Sequence, residues 1–160
     1  MTLALGIDPG TATTGYGLVR LEPDGGLVAV TFGVISTPKD ASPQARLEML
    51  YDQLNELLSL HRPDTAAVEK LFFQRNVSTA MAVGQARGVA LLSLQQAGVP
   101  VFEYTPNEVK QAVAGYGSAQ KRQVQQMVRT LLAMLEIPKP DDAADALAIA
   151  ITHLNTQRYD

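Results

Sequence analysis

Apolar and polar positions alternate with a period of two at the start of the chain. Leu3, Leu5 and Ile7 interleave with Ala4, Gly6 and Asp8, which predicts a strand. A second strand is expected over 14–22. Pro23-Asp24-Gly25-Gly26 then has the make-up of a turn, and a third strand is expected over 27–36. Three strands in succession with short connections read as an antiparallel meander.

The period then lengthens. Ser42-Pro43 has the form of an N-cap followed by proline at the first helical position. Leu47, Leu50, Leu54, Leu57 and Leu58 share one face of the helix that follows. A short strand is expected over 65–69, a long helix over 78–97 and a strand over 99–104. Thr105-Pro106-Asn107-Glu108 is a capping box with proline at N1. Gly115-Tyr116-Gly117 marks a loop, Ser118 is expected to cap a helix reaching position 135, and Pro138-Lys139-Pro140 breaks the chain before a last helix over 142–155. A meander followed by alternating strands and helices predicts an α/β fold. Its mixed five-stranded sheet has three antiparallel strands, then two parallel ones, and helices on both faces.

A length of 160 residues suits a single domain, 1–160, with a core of its own. The hydrophobic fraction of 46% beside 18% charged residues excludes a disordered chain. No cysteine is present, so disulfides and thiolate metal sites are excluded, and an intracellular location is compatible. The N-terminal segment lacks a basic region and meets Asp8 early, unlike a signal peptide. No apolar run is expected to reach membrane-spanning length. A net charge of −3 argues mildly against nucleic acid, but where the charges lie matters more than their sum.

The acids carry the chemistry. Asp8 ends the first strand on the face of Ala4 and Gly6, whose small side chains leave room above it. Glu69 ends a strand with the apolar run Ala66-Ala67-Val68, and a buried carboxylate needs a partner. Asp142 and Asp145 are three apart at the start of the last helix and project from one face. Each has a structural alternative: Asp8 before Pro9-Gly10 suits a turn, and Asp141 or Asp142 after proline suits an N-cap. Asp145 among Ala143, Ala144, Ala146 and Leu147 is harder to explain structurally. Together the acids suit hard divalent cations, which prefer oxygen ligands. Two such ions about 4 Å apart activate water and stabilise a leaving oxygen in phosphodiester hydrolysis.

Several segments, in order, resemble one family. Gly6-Ile7-Asp8-Pro9-Gly10, Thr14-Gly15-Tyr16-Gly17, Val68-Glu69, Gly84-Gln85-Ala86-Arg87-Gly88, Pro100-Val101-Phe102-Glu103-Tyr104, Val109-Lys110-Gln111, Gly115 with Gly117, and 142–148 are similar to those of the RuvC-type Holliday-junction resolvases. The resemblance implies an RNase H-like fold and a cytoplasmic homodimer. It implies an endonuclease that nicks four-way DNA junctions in symmetric pairs, leaving 5′-phosphate and 3′-hydroxyl ends, in homologous recombination and DNA repair. It implies Mg²⁺ or Mn²⁺, two ions per active site, and a branch-migration complex of the RuvA and RuvB type as partner. Asp8, Glu69, Asp142 and Asp145 match the family's metal-binding catalytic acids, so Asp142 rather than Asp141 takes the ligand position, and Asp141 is expected to cap.

DNA contacts are expected at Phe72, Arg75, Lys110 and Lys121. Lys110 and Lys121 match basic residues near the scissile phosphate, and Phe72 matches an aromatic that stacks on a base. The segment Phe72-Phe73-Gln74-Arg75-Asn76 follows Glu69 and mixes aromatics with a cation, as suits unpaired bases. One phenylalanine, expected to be Phe73, anchors the loop. Lys121-Arg122 opens a helix where the dipole disfavours positive charge, which favours a phosphate-facing Lys121 over surface decoration. Arg87, among small residues, suits packing or an interface. His61 is expected at the surface, and His153 lies about 12 Å along the helix from Asp145, too far to share a metal. The helix over 78–97 is apolar on more than one stripe, so a sheet and a second protomer are expected to cover it.

Three other readings compete. Asp8-Pro9-Gly10-Thr11 resembles the phosphate-binding turn of actin-like and sugar-kinase-like ATPases, which need a second lobe that 160 residues do not supply. A related nuclease acting on structured RNA is the second. A non-enzymatic junction-binding scaffold is the third, disfavoured because unneeded buried acids are costly.

Overall fold

The computed structural model describes residues 1–10, 12–70 and 77–157. Five strands form one sheet in the order β3-β2-β1-β4-β5. β1 (Thr2–Asp8), β2 (Thr13–Leu21) and β3 (Leu27–Ser36) make the expected antiparallel meander. β4 (Thr65–Glu69) lies parallel to β1, and β5 (Val101–Tyr104) parallel to β4. β5 begins two residues later than the periodicity suggests. Val99 N–H closes the preceding helix on the Leu94 carbonyl, and Pro100 has no N–H to give a ladder.

Helices cover both faces. α1 (Pro43–His61) and α2 (Val77–Gln96) pack on the side of Leu5, Ile7, Leu18, Ala66 and Val68. α3 (Pro106–Ala114), α4 (Lys121–Leu131) and α5 (Asp141–Gln157) pack on the side of Ala4, Val19 and Ala67. Local signals read from the sequence hold at the helix starts. The Ser42 hydroxyl accepts from Ala45 N–H, and Thr105 and Glu108 cap each other reciprocally.

α4 differs from expectation at both ends. The turn at 116–119 buries Ala119 in the core, so the chain is still extended at Gln120, whose N–H is capped by the Gln123 side chain. Lys121, not a residue after Ser118, is therefore the first helical residue. At the other end Ala133 adopts a left-handed conformation, with φ of 51°, and the helix stops at Leu131.

Among the described residues α2 is one helix long and apolar enough to cross a membrane, which corrects the expectation that no segment reaches that length. Here it is a core helix on one side, where Ala86, Ala90 and Leu94 bury against the sheet. Its other side exposes Val77, Met81 and Leu92, at 75%, 59% and 50%.

α5 is buried almost all round, from Ala143 through Leu154. It lies across β1 and β2, and at Gly6 and Gly15 its backbone comes down on the strands with no side chain between. A Cβ at Gly6 would fall 2.0 Å from the Ala146 carbonyl oxygen, and one at Gly15 would fall 2.0 Å from that of Asp142. The room expected above Asp8 is thus filled by this helix. Three glycines, Gly6, Gly15 and Gly17, form its seat, and the seat determines where its first turn points.

Candidate active site

Two ladders and one helix bring the acids together. Asp8 ends β1, and Ile7 pairs with Val68, so Glu69 comes out beside Asp8 at the same edge of the sheet. The first turn of α5 overhangs that edge. Carboxylate oxygens of Asp8, Asp142 and Asp145 all lie within 4.8 Å of one another, and all three residues are half-buried. Glu69 stands outside that triad but shares a side-chain hydrogen bond with Asp8.

So many acids in so little water disfavour charge. Burial, then Glu69, Asp145 and Asp142, push Asp8 up to about 8 from 3.8. Burial and the nearby Asp145 raise Glu69, while the Asp8 hydrogen bond and Lys110 and Lys121 oppose the shift. Burial likewise raises Asp145, against the pull of Lys121. Protonated Asp8 has one O–H, which it can give to Asp145 or to Glu69, so the group holds a proton at neutral pH when no cation is bound. Oxygen-only donors, close spacing and an excess of acids are what a hard divalent cation requires, so the residues fit such a metal.

A cleft of about 270 Å³ opens beside Glu69 and Asp145, and Lys110 of α3 and Lys121 of α4 line it. Lys121 Nζ lies 3.4 Å from Asp141 Oδ2 and 3.7 Å from Asp145 Oδ2. Burial lowers the affinity of Lys121 for its proton, but Asp145, Asp141 and Asp142 outweigh it and the net shift is upward. The site therefore pairs an acidic floor with a cationic wall, the polarity that an anionic phosphodiester and its metal need.

Known proteins share this arrangement of sheet and helices. The profile of the family described as Crossover junction endodeoxyribonuclease RuvC matches residues 4–153. The chain belongs to the RuvC family. The Crossover junction endodeoxyribonuclease RuvC of Chloroflexus aggregans is 60% identical over 96% of this chain and 93% of its own length. That of Syntrophomonas wolfei is 54% identical over 96% of this chain and 89% of its own. A structure of Thermus thermophilus RuvC superposes with a TM-score of 0.92 at 40% identity, covering 98% of this chain and 96% of that one. T. thermophilus RuvC in complex with Holliday junction substrate gives 0.90 at 37% identity, with the same coverage. The fold of the family, RNase H-like, is the one described above.

Of the candidate site residues, Asp8, Glu69, Asp142, Asp145, Lys110 and Lys121 meet at this one edge. Phe72 and Arg75, with Phe73, lie outside the described residues. Asp141 does not cap. The Pro140 carbonyl accepts the first helical N–H groups, and the Asp141 carboxylate reaches Lys121 and Gln125 instead.

Thr13 escaped the sequence reading. Its hydroxyl donates to Asp142 Oδ2 at 2.7 Å, and its only sequence signal was a place just after the Asp8-Pro9-Gly10 turn. His153 is fully buried, apart from the acids as expected, and sits between Thr65 Oγ1 at 2.7 Å and Tyr104 OH at 2.8 Å. Burial lowers its pKa, so it acts as a neutral pin between α5, β4 and β5. Arg87 pairs with Glu103 of β5.

Proposed function

We propose that this chain resolves four-way DNA junctions by paired, symmetric, metal-dependent phosphodiester hydrolysis, leaving 5′-phosphate and 3′-hydroxyl ends. The observation that carries the reading is the meeting of Asp8, Asp142 and Asp145 within 4.8 Å, beside Glu69 and a lysine-lined cleft, in a chain of the RuvC family.

Asp8, Glu69, Asp142 and Asp145 would hold Mg²⁺ or Mn²⁺, two ions per site. Bound cations supply a water-derived nucleophile at neutral pH and neutralise charge on the leaving oxygen. The remaining work belongs to side chains. Asp8 spans the proton-sharing group and must lose its proton for the site to fill. Thr13 fixes the rotamer of Asp142 through its hydrogen bond. Lys110 and Lys121 attract the backbone phosphate to the cleft and hold it against the acids. The buried α5 keeps Asp142 and Asp145 rigid with respect to β1, so the reacting groups need little reorganisation.

Phe72 and Arg75, which follow Glu69 in sequence, would meet unpaired bases at the junction centre. The chain would act as one domain within a homodimer. The exposed apolar stripe of α2 supports this, since a two-fold partner covering Val77, Met81 and Leu92 would set two equivalent sites against a two-fold junction. Work in the cytoplasm, in recombination and repair alongside a branch-migration complex of the RuvA and RuvB type, completes the reading.

The test is incubation with a synthetic four-way junction, with and without Mg²⁺ or Mn²⁺, and mapping of any nicks. Paired nicks at symmetric positions, lost on chelation, are expected. Metal-independent cutting, or junction binding with no cutting in either metal, would overturn the proposal.

A further inference from the structure

Asp141 belongs to no part of the acid triad, yet it touches two residues of the facing helix. Gln125 Nε2 donates to its Oδ1 at 3.2 Å, and Lys121 Nζ sits 3.4 Å from its Oδ2. Lys121 and Gln125 are one turn apart on α4, so they meet the carboxylate side by side. Both of its oxygens are thereby used, across the gap between the first turns of α4 and α5. The second contact of Lys121 is Asp145, at 3.7 Å.

These two contacts differ in what a bound cation does to them. Asp145 lies within the triad that suits a metal, and coordination would draw its charge away from Lys121. Asp141 is outside the triad and keeps its negative charge free for the lysine. We propose that Asp141, held by Gln125, is a positioning residue that keeps the Lys121 ammonium over the cleft once the neighbouring acids are engaged by metal. Its purpose is geometric rather than stabilising. The side chains of Asp141 and Lys121 are 66% and 55% exposed, and exposed ion pairs add little to stability. A flexible lysine at the start of a helix, where the dipole repels it, otherwise spreads over many rotamers. Restricting it to the cleft matters for a step that depends on sub-ångström placement.

The inference rests on the reading of Lys121 as a phosphate-facing residue, and the experiment separates the two. Single-turnover cutting of a pre-bound synthetic four-way junction is measured in saturating Mn²⁺, with junction affinity and melting temperature measured on the same preparations. Asp141→Asn keeps an oxygen for Gln125 but removes the charge. It is expected to slow cutting by roughly threefold to tenfold. Junction affinity should be unchanged or tighter, because an acid near phosphates has gone, and the melting temperature should be unchanged. Asp141→Glu should restore part of the rate. In a Lys121→Ala background Asp141→Asn should have no further effect. Wild-type or faster cutting by Asp141→Asn, or the same loss with and without Lys121, would overturn the inference. A Lys121→Ala variant that cuts normally would instead overturn the reading of Lys121 itself.

Discussion

Gly15 on β2 lies so close to Asp142 on α5 that a Cβ at position 15 would stand 2.0 Å from the Asp142 carbonyl oxygen and 2.5 Å from its carbonyl carbon. Both neighbours are backbone atoms, so no side-chain rotation relieves the clash. The placement of a metal-ligand candidate is therefore set by the absence of a methyl group on another element. Gly15→Ala should push the first turn of α5 off the sheet, destabilise the fold by about 1–3 kcal/mol or more, and cut cleavage out of proportion to that loss. Denaturant melts and cleavage rates on a synthetic junction check it. A variant as stable and active as the parent would show that α5 can slide without cost.

Asp8→Asn and Glu69→Gln should each lower metal-dependent cleavage by more than about a hundredfold while sparing junction binding. Both are acids of the group that would hold the metal, and neither is a cation that could neutralise a phosphate. Gel-shift and cleavage assays run side by side decide it, and normal nicking by Asp8→Asn would end the proposed roles.

Stability without metal should depend on pH with a definite sign. Asp8 releases its proton near 3.8 in the unfolded chain and at about 8 in the folded one. Between those values the folded state binds more protons, so its stability falls as pH rises from about 4 to about 8 and levels off above. Melting temperatures in a chelator between about pH 5 and about pH 8 should therefore decline, by more in the parent than in Asp8→Asn, which has no proton to lose. Adding Mg²⁺ or Mn²⁺ should reverse the trend, because cation binding needs the deprotonated acids and grows with pH. A flat chelator profile in the parent would contradict the proton shared among these carboxylates.

Lys110→Ala and Lys121→Ala should each weaken junction binding and make the slope of log affinity against log salt shallower by about 0.9 for each phosphate no longer neutralised. Binding titrations across a salt series provide the measure. An unchanged slope with wild-type cutting would remove that lysine from the DNA-facing wall.

Much of the fold was legible because its signals are local. The alternation of Leu3, Leu5 and Ile7, the turn at 23–26, and the caps at Ser42 and Thr105 each depend on residues within a few positions, and all appear in the structure. Where a local signal was read without its tertiary setting it misled. Ser118 has the residue type of a cap, but burial of Ala119 postpones the helix to Lys121. Asp141 follows a proline as caps do, but Lys121 and Gln125, residues of another helix, take its carboxylate.

The chain's own pattern determined that strands would carry Asp8 and Glu69 to their ends, and that Asp142 and Asp145 would share a helix face. Periodicity places a residue on its own element and no further. Whether those acids meet depends on the distance between elements, and that distance is decided by what lies between α5 and the sheet. At Gly6 and Gly15 nothing does, so the helix backbone settles onto the strands, and its first turn arrives over Asp8. The contacts of Thr13 with Asp142 and of His153 with Thr65 and Tyr104 follow from that seating, between residues remote along the chain whose meeting only the tertiary structure could decide.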